Sequence, residues 1–357
     1  MSPPRLSGLC RVLYCFDVAR TIDLVRAESV LGTARRTNFH HKGGFPAEAG
    51  VAAPVRFSWK APSSAASELQ TAEDVEIALY DFGAVAITWT LAIDHALDDL
   101  VELSGALYAN TELTERSRVV ALDVVRELHE ACDQPGLHRL VEDYVVFELE
   151  PPVSDVEAWS LEHRGTLAQV LRAEAERLSE QEVRDALDTP ISYGVRDLAL
   201  VDWLGAILVG HETDDERLLL ELATVELLEL RLLDDRLDEE TEAAYRLLTA
   251  PRTTLGAWTS LRRELERIGR TEADDALLHQ GIDNALKLFG DDYLARLYRA
   301  ASRRFHFDDW DSAIARKLGT LHSIYGSLAD QAAHRRSEIL EWIIIVLIAV
   351  DIVIYFV

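Results

Sequence analysis

Residues 75–91 read Val-Glu-Ile-Ala-Leu-Tyr-Asp-Phe-Gly-Ala-Val-Ala-Ile-Thr-Trp-Thr-Leu. Two β-rich apolar runs, 75–80 and 84–91, flank a short turn containing Gly83, which is the pattern of an antiparallel hairpin. Runs of the same kind occur at 11–16, 55–59, 141–148 and 199–209, and each is expected to form a strand. Helical periodicity is expected at 97–107, 112–130 and 161–187, and the glycine- and proline-containing stretch 37–54 reads as a loop. Short strands alternating with amphipathic helices predict an α+β (mixed α/β) domain over residues 1–210.

Beyond it the pattern turns helical. A helical domain is expected over 211–308, beginning with a leucine-dense helix at 214–250, where Thr213 followed by Glu216 matches a capping box. Its acids Glu221, Glu226, Glu229, Asp234 and Asp235 alternate with leucines at helical spacing and read as a solvated face rather than a metal site. Further helices are expected at 258–268 and 291–305. From 309 to 338 the chain reads as an amphipathic coiled helix. Ile314, Leu321 and Leu328 recur every seven residues, with Leu318 and Tyr325 four residues after the first two. This is the a/d seam of a coiled coil, open both to a homo-oligomer and to an intramolecular partner helix.

The last segment, 339–357, is Ile-Leu-Glu-Trp-Ile-Ile-Ile-Val-Leu-Ile-Ala-Val-Asp-Ile-Val-Ile-Tyr-Phe-Val. Apolar on every side and roughly 28 Å long at about 1.5 Å per residue, it predicts one transmembrane helix. Glu341, Trp342, Asp351 and Tyr355 are its anchor residues, and His334, Arg335 and Arg336 form a basic flank that would place the bulk of a single-pass, tail-anchored protein in the cytoplasm. The partner of this helix would be the lipid bilayer. The alternative is a core helix buried within the fold.

The formal net charge of −26 over 357 residues disfavours direct nucleic-acid binding unless arginines cluster. Cys10, Cys15 and Cys132 form no CxxC pair, so neither a zinc knuckle nor a disulfide framework is indicated. No Walker loop, GxGxxG, HExxH or GxSxG sequence occurs. Asp81-Phe82-Gly83 lacks the other kinase motifs and reads as a turn. His40-His41 beside the glycine loop could ligate a metal, but adjacent residues are expected to project in different directions and no third ligand is placed nearby in the sequence. Asp94, His95, Asp98 and Asp99 could hold Mg²⁺, but acids at the start of a helix account for them more simply. No catalytic, cofactor-binding or metal-ligating residue is therefore assigned, and no cofactor is expected.

The segments Tyr80-Asp81-Phe82-Gly83-Ala84-Val85-Ala86-Ile87-Thr88-Trp89 and Leu340-Glu341-Trp342-Ile343-Ile344-Ile345-Val346-Leu347-Ile348-Ala349-Val350-Asp351 together resemble the required-for-meiotic-nuclear-division family, which includes the bacterial YagE-like proteins. The resemblance implies a membrane-attached scaffold holding a translation-related or other protein partner near the bilayer. On this reading the chain is a non-catalytic, oligomeric, membrane-anchored adaptor. The alternative is a metal-dependent enzyme using carboxylates such as Asp94, Asp98 or Asp202 in the α/β domain.

Overall fold

A computed structural model describes residues 5–32, 54–61, 69, 71–249, 269 and 292–356, without the side chains at 247–249, 329–340 and 350–356. The strands are β1 (Arg5–Asp17), β2 (Thr21–Ile22), β3 (Val55–Lys60), β4 (Asp74–Leu79), β5 (Ala84–Ala96), β6 (Cys132–Asp133), β7 (Glu142–Leu149), β8 (Leu198–Val201) and β9 (Gly205–Val209). The helices are α1 (Leu24–Leu31), α2 (Leu97–Leu107), α3 (Thr111–Glu127), α4 (Val156–Glu162), α5 (Arg164–Arg172), α6 (Glu180–Ala186), α7 (Asp214–Thr249), α8 (Asp292–Arg304) and α9 (Phe307–Phe356). The N-terminal region is thus mixed α/β with helices after it. The chain divides into two compact units, one comprising Met1–Leu230 with Leu278–Asp308 and the other Arg231–Leu277 with Asp309–Val357.

The first unit is built on a seven-stranded sheet of order β3-β4-β5-β1-β7-β9-β8. Its neighbours are antiparallel except β7 and β9, which run parallel and are therefore joined by a long crossover through α4, α5, α6 and β8. The expected hairpin is β4–β5. Gly83 sits in its turn at φ +103°, and a Cβ there would come within 1.8 Å of the Ala19 carbonyl oxygen, so glycine is required on both counts. The run 199–209, expected as one strand, is two, because Asp202, Trp203 and Leu204 reverse the chain between β8 and β9. Likewise 161–187 breaks into α5 and α6, with α5 ending on Ala173 in the left-handed region.

Alternation along the strands separates two faces. Val12, Tyr14 and Phe16 of β1, Val85, Ile87 and Trp89 of β5, and Val145 and Phe147 of β7 enter the main core, with Leu100 of α2, Val120 and Val124 of α3, and Leu167 and Leu171 of α5. Trp89 fills the centre of this layer. Its indole N–H donates to Ser117 Oγ at 2.7 Å, and the Arg116 guanidinium lies 4.3 Å from its ring centroid. The opposite face carries the residues in between, among them Arg11, Arg56, Glu76 and Glu148, and the first half of α7 lies on it, as its hydrogen bonds to these residues show. From Arg217 to Leu230 almost every residue of α7 is buried.

In the second unit, Lys317 of α9 reaches back to Asp234 at 2.7 Å and Asp238 at 2.6 Å on α7. Of the expected seam, Ile314, Leu321 and Tyr325 are buried within the single chain, and Leu318 and Leu328 are half-buried.

The expected transmembrane helix is corrected: among the described residues no helix is long and apolar enough to cross a membrane. The described apolar side chains near the end of α9 run from Trp342 to Ala349, about 12 Å of helix against a hydrocarbon core of about 30 Å. The tail anchor, the lipid partner and the single-pass localisation lose their basis with it. The core-helix alternative does not fit the described side chains of this segment either, because Trp342 is 67% exposed and Ile343 to Ile348 are exposed. Glu341 is exposed, and the side chains of His334, Arg335, Arg336, Asp351 and Tyr355 lie outside the described ones.

Candidate functional site: a buried charge network

The face of the sheet under α7 holds a row of ionised side chains. Arg56 on β3 grips Glu221 of α7 with both arms, Nη2 to Oε1 at 2.6 Å and Nη1 to Oε2 at 3.1 Å, and its Nη1 also donates to Glu76 on β4 at 2.9 Å. The Tyr80 hydroxyl adds a third donor to Glu221 at 2.7 Å. On the next strands, Arg11 Nε donates to Glu148 at 2.7 Å while its Nη1 reaches Thr90 at 2.8 Å. The Thr213 hydroxyl donates to the other oxygen of Glu148 at 3.2 Å. The capping box expected at Thr213 thus has its hydroxyl turned toward the sheet.

Arg217 joins the two halves. It has no solvent exposure and sits 3.5 Å from Glu76, 3.6 Å from Glu148, 3.7 Å from Asp214 and 4.0 Å from Glu221. Three guanidiniums (Arg11, Arg56, Arg217) thus face three largely buried carboxylates (Glu76, Glu148, Glu221), and the charges of these six groups cancel. Burial alone would raise the Glu221 carboxyl, but Arg56, Arg217 and the Tyr80 hydroxyl outweigh it and hold Glu221 below its ordinary value. Burial and the neighbouring Glu221 carboxylate push the Tyr80 hydroxyl well up, and Cys15, buried on the same face, is raised for the same two reasons.

Within this network the Glu221 carboxylate is taken up by Arg56 and Tyr80, and burial keeps the Tyr80 hydroxyl and the Cys15 thiol protonated near neutral pH. What it supplies is register. A shift of α7 along the sheet would leave buried charges unpaired, so the pairing of Glu221 with Arg56 and of Arg217 with Glu76 and Glu148 disfavours other placements of the helix. The solvated face expected for Glu221 and Glu226 is corrected: both are buried, and Glu226 accepts from the Tyr298 hydroxyl at 2.7 Å. A helical period shows that acids share a face but not what that face meets.

A second cluster lies in the β8–β9 turn. Asp202 is buried between Arg172, at 2.5 Å, and Arg304, at 3.5 Å, and its carbonyl accepts from the Tyr144 hydroxyl at 2.9 Å. Burial raises its carboxyl, against the pull of both arginines. Asp94 is elsewhere, exposed and paired with Arg5 at 2.8 Å. Asp98 and Asp99 occupy the first turn of α2, where Asp99 accepts from the Ala96 amide at 3.1 Å. The three carboxylates of the enzyme alternative are therefore committed to different partners or positions, and among the described residues no group of three His, Cys, Asp or Glu could hold a metal ion. His40 and His41 lie outside the described residues.

The family described as "Uncharacterized protein MJ0711, N-terminal domain" matches residues 7–216. The uncharacterized protein MJ0711 of Methanocaldococcus jannaschii is 28% identical over 206 residues, which cover 56% of this chain and 62% of that protein, so the likeness spans less than two thirds of the relative's length. No solved structure matches. The resemblance to the required-for-meiotic-nuclear-division and YagE-like family is corrected by this match, which takes in the hairpin residues that carried it and leaves 340–351 outside. The matched region contains six strands of the sheet whole and β1 from its third residue, and ends one residue before Arg217.

Proposed function

Because the chain belongs to the family of the MJ0711 N-terminal domain, we propose that it is a non-catalytic scaffold or adaptor that acts by holding protein partners and by associating with itself. The observation that carries this reading is the use of the interior charges. The acids and arginines beneath α7 are matched three to three, and Asp202 is held between two arginines. They brace helices against the sheet, where a reactive site would hold a group ready to accept or donate a proton. A second support is the surface that α9 offers. Trp342, Ile343, Ile344, Ile345, Val346, Leu347 and Ile348 are each at least half exposed in a continuous helical stretch, more contiguous apolar surface than a solitary chain ordinarily displays.

The test is proximity crosslinking in cells, comparing the full chain with one that ends at Arg336. The reading expects partners, including other copies of the chain, to be captured by the full chain and lost from the shortened one while its far-ultraviolet circular dichroism remains that of a folded α/β protein. Identical partner sets would remove the reading.

A further inference from the structure

The charge of −26 is unevenly spread, and the first unit contains a local reversal. On α8 the buried side consists of Tyr293, Leu294, Leu297, Ala300 and Ala301. The opposite side presents Arg296, Arg299 and Arg303 at spacings of three and four residues, hence on one face, and all three are exposed. Beside this face runs the 192–197 loop. Arg296 donates to the Ser192 carbonyl at 3.4 Å and lies 5.7 Å from the Tyr293 ring centroid, while Tyr193 meets Tyr293 edge-on at 6.2 Å. The loop adds the exposed Arg196.

Two large apolar side chains of this loop stand in water, Tyr193 at 80% exposure and Val195 at 70%. The loop that carries them is nevertheless held in place. Asp197 accepts from the Tyr193 and Gly194 amides at 3.0 and 2.5 Å, and the Val195 carbonyl accepts from Val156 at 3.0 Å. A backbone fixed by hydrogen bonds while displaying tyrosine beside arginine is the composition and preorganisation of a binding hot spot.

We propose that the 192–197 loop and the arginine face of α8 form a docking surface for an acidic segment of a partner protein, one with an apolar residue among its carboxylates. This rests on the scaffold reading and gives it a binding face. Arginine forks suit carboxylates in pairs, and Tyr193 with Val195 supplies the apolar contact. The arginine stripe spans only about 10 Å of helix. It is bounded at one end by exposed Asp292, which lies 3.7 Å from Arg296 so that Arg299 and Arg303 carry most of the open positive charge, and at the other by exposed Asp308, and Asp188 lies near Arg303 through Thr189. A nucleic-acid strand carries charge continuously and would meet those acids on leaving the stripe, whereas a protein segment can confine its acids to the stripe's length.

The experiment measures binding of a short fluorescent peptide of glutamates with a central leucine to the full chain, beside an oligouridylate of equal length. The glutamate peptide is expected to bind, to weaken as salt is added, and to weaken roughly tenfold in Arg299→Glu/Arg303→Glu and in Tyr193→Ala. Arg299→Lys/Arg303→Lys should keep most of the binding. All these side chains are exposed, so every variant should still unfold cooperatively; the midpoint should stay put in Tyr193→Ala and the lysine pair and fall slightly in the glutamate pair, which adds four negative charges to an acidic chain, and cooperative unfolding shows that each variant is folded. Absence of peptide binding, binding indifferent to the substitutions, or tighter binding of the oligouridylate would overturn the proposal. Failure here would leave the crosslinking comparison unaffected, so the two readings fail separately.

Discussion

Glu221 shows at the scale of one residue how the interior is organised. It has no exposure and is held by Arg56 and Tyr80, with Arg217 at the margin. Replacing Glu221 by Gln leaves Arg11, Arg56 and Arg217 facing only Glu76 and Glu148 within the buried network, one positive charge in excess, and should lower unfolding free energy by about 3–5 kcal/mol, measured by urea denaturation. Tyr80→Phe removes only a donor to that charge and should lower it by about 1.5–3 kcal/mol. Because the folded Glu221 carboxyl lies below its unfolded value of about 4.3, its contribution is complete above that pH and is lost as pH falls through the folded value. Glu216 behaves oppositely. Burial raises its carboxyl, so its protonated form is the one favoured by folding, and the penalty appears as pH rises through the folded value. Glu216→Gln should therefore be more stable than the native chain at neutral pH, with the gain vanishing in acid; a constant difference across pH would contradict the assignment. Gly83→Ala forces a side chain into the left-handed region and against the Ala19 carbonyl, and should lower stability by at least about 1–2 kcal/mol.

At the scale of elements, α7 is the helix whose sequence most understates its surroundings. Its leucines predict a helix, and one forms over Asp214–Thr249. Leu219, Leu220, Val225, Leu228 and Leu230 are wholly buried, so Leu228→Ala should lower stability by about 2–5 kcal/mol, a change of ordinary core size. Lys317, which ties α9 to α7, is partly exposed; Lys317→Met should change stability by no more than about 1 kcal/mol in the same assay, and a larger loss would mean that the pair behaves as a buried one. The hairpin was legible because its two strands alternate about a glycine turn. The division of 199–209 was not, because Asp202-Trp203-Leu204 is bracketed by apolar residues and the turn lacks a dominant glycine or proline pair. Of the candidate site, Arg11, Arg56, Glu76 and Glu148 lay within expected strands, but nothing local marked them as mutual partners.

For the whole molecule, 62 acids against 36 bases mean that like-charge repulsion opposes compactness. Raising salt from about 0.01 to about 0.15 M shortens the screening distance from about 30 to about 8 Å and should raise the thermal midpoint; a fall would mean that surface ion pairs outweigh the excess. The sequence by itself determined where most of the described strands and helices lie, the mixed α/β character of the N-terminal region, and the helices described after it, because period and turn chemistry act over a few residues; the helix expected at 258–268 lies outside the described residues. It could not determine the fate of the charges. Glu221 and Arg56 are 165 positions apart, and whether an acid on a helix faces water or a guanidinium depends on which strand the fold brings beneath it. Only the tertiary structure decided that, because an ionised group can remain buried only where a distant part of the chain delivers its opposite.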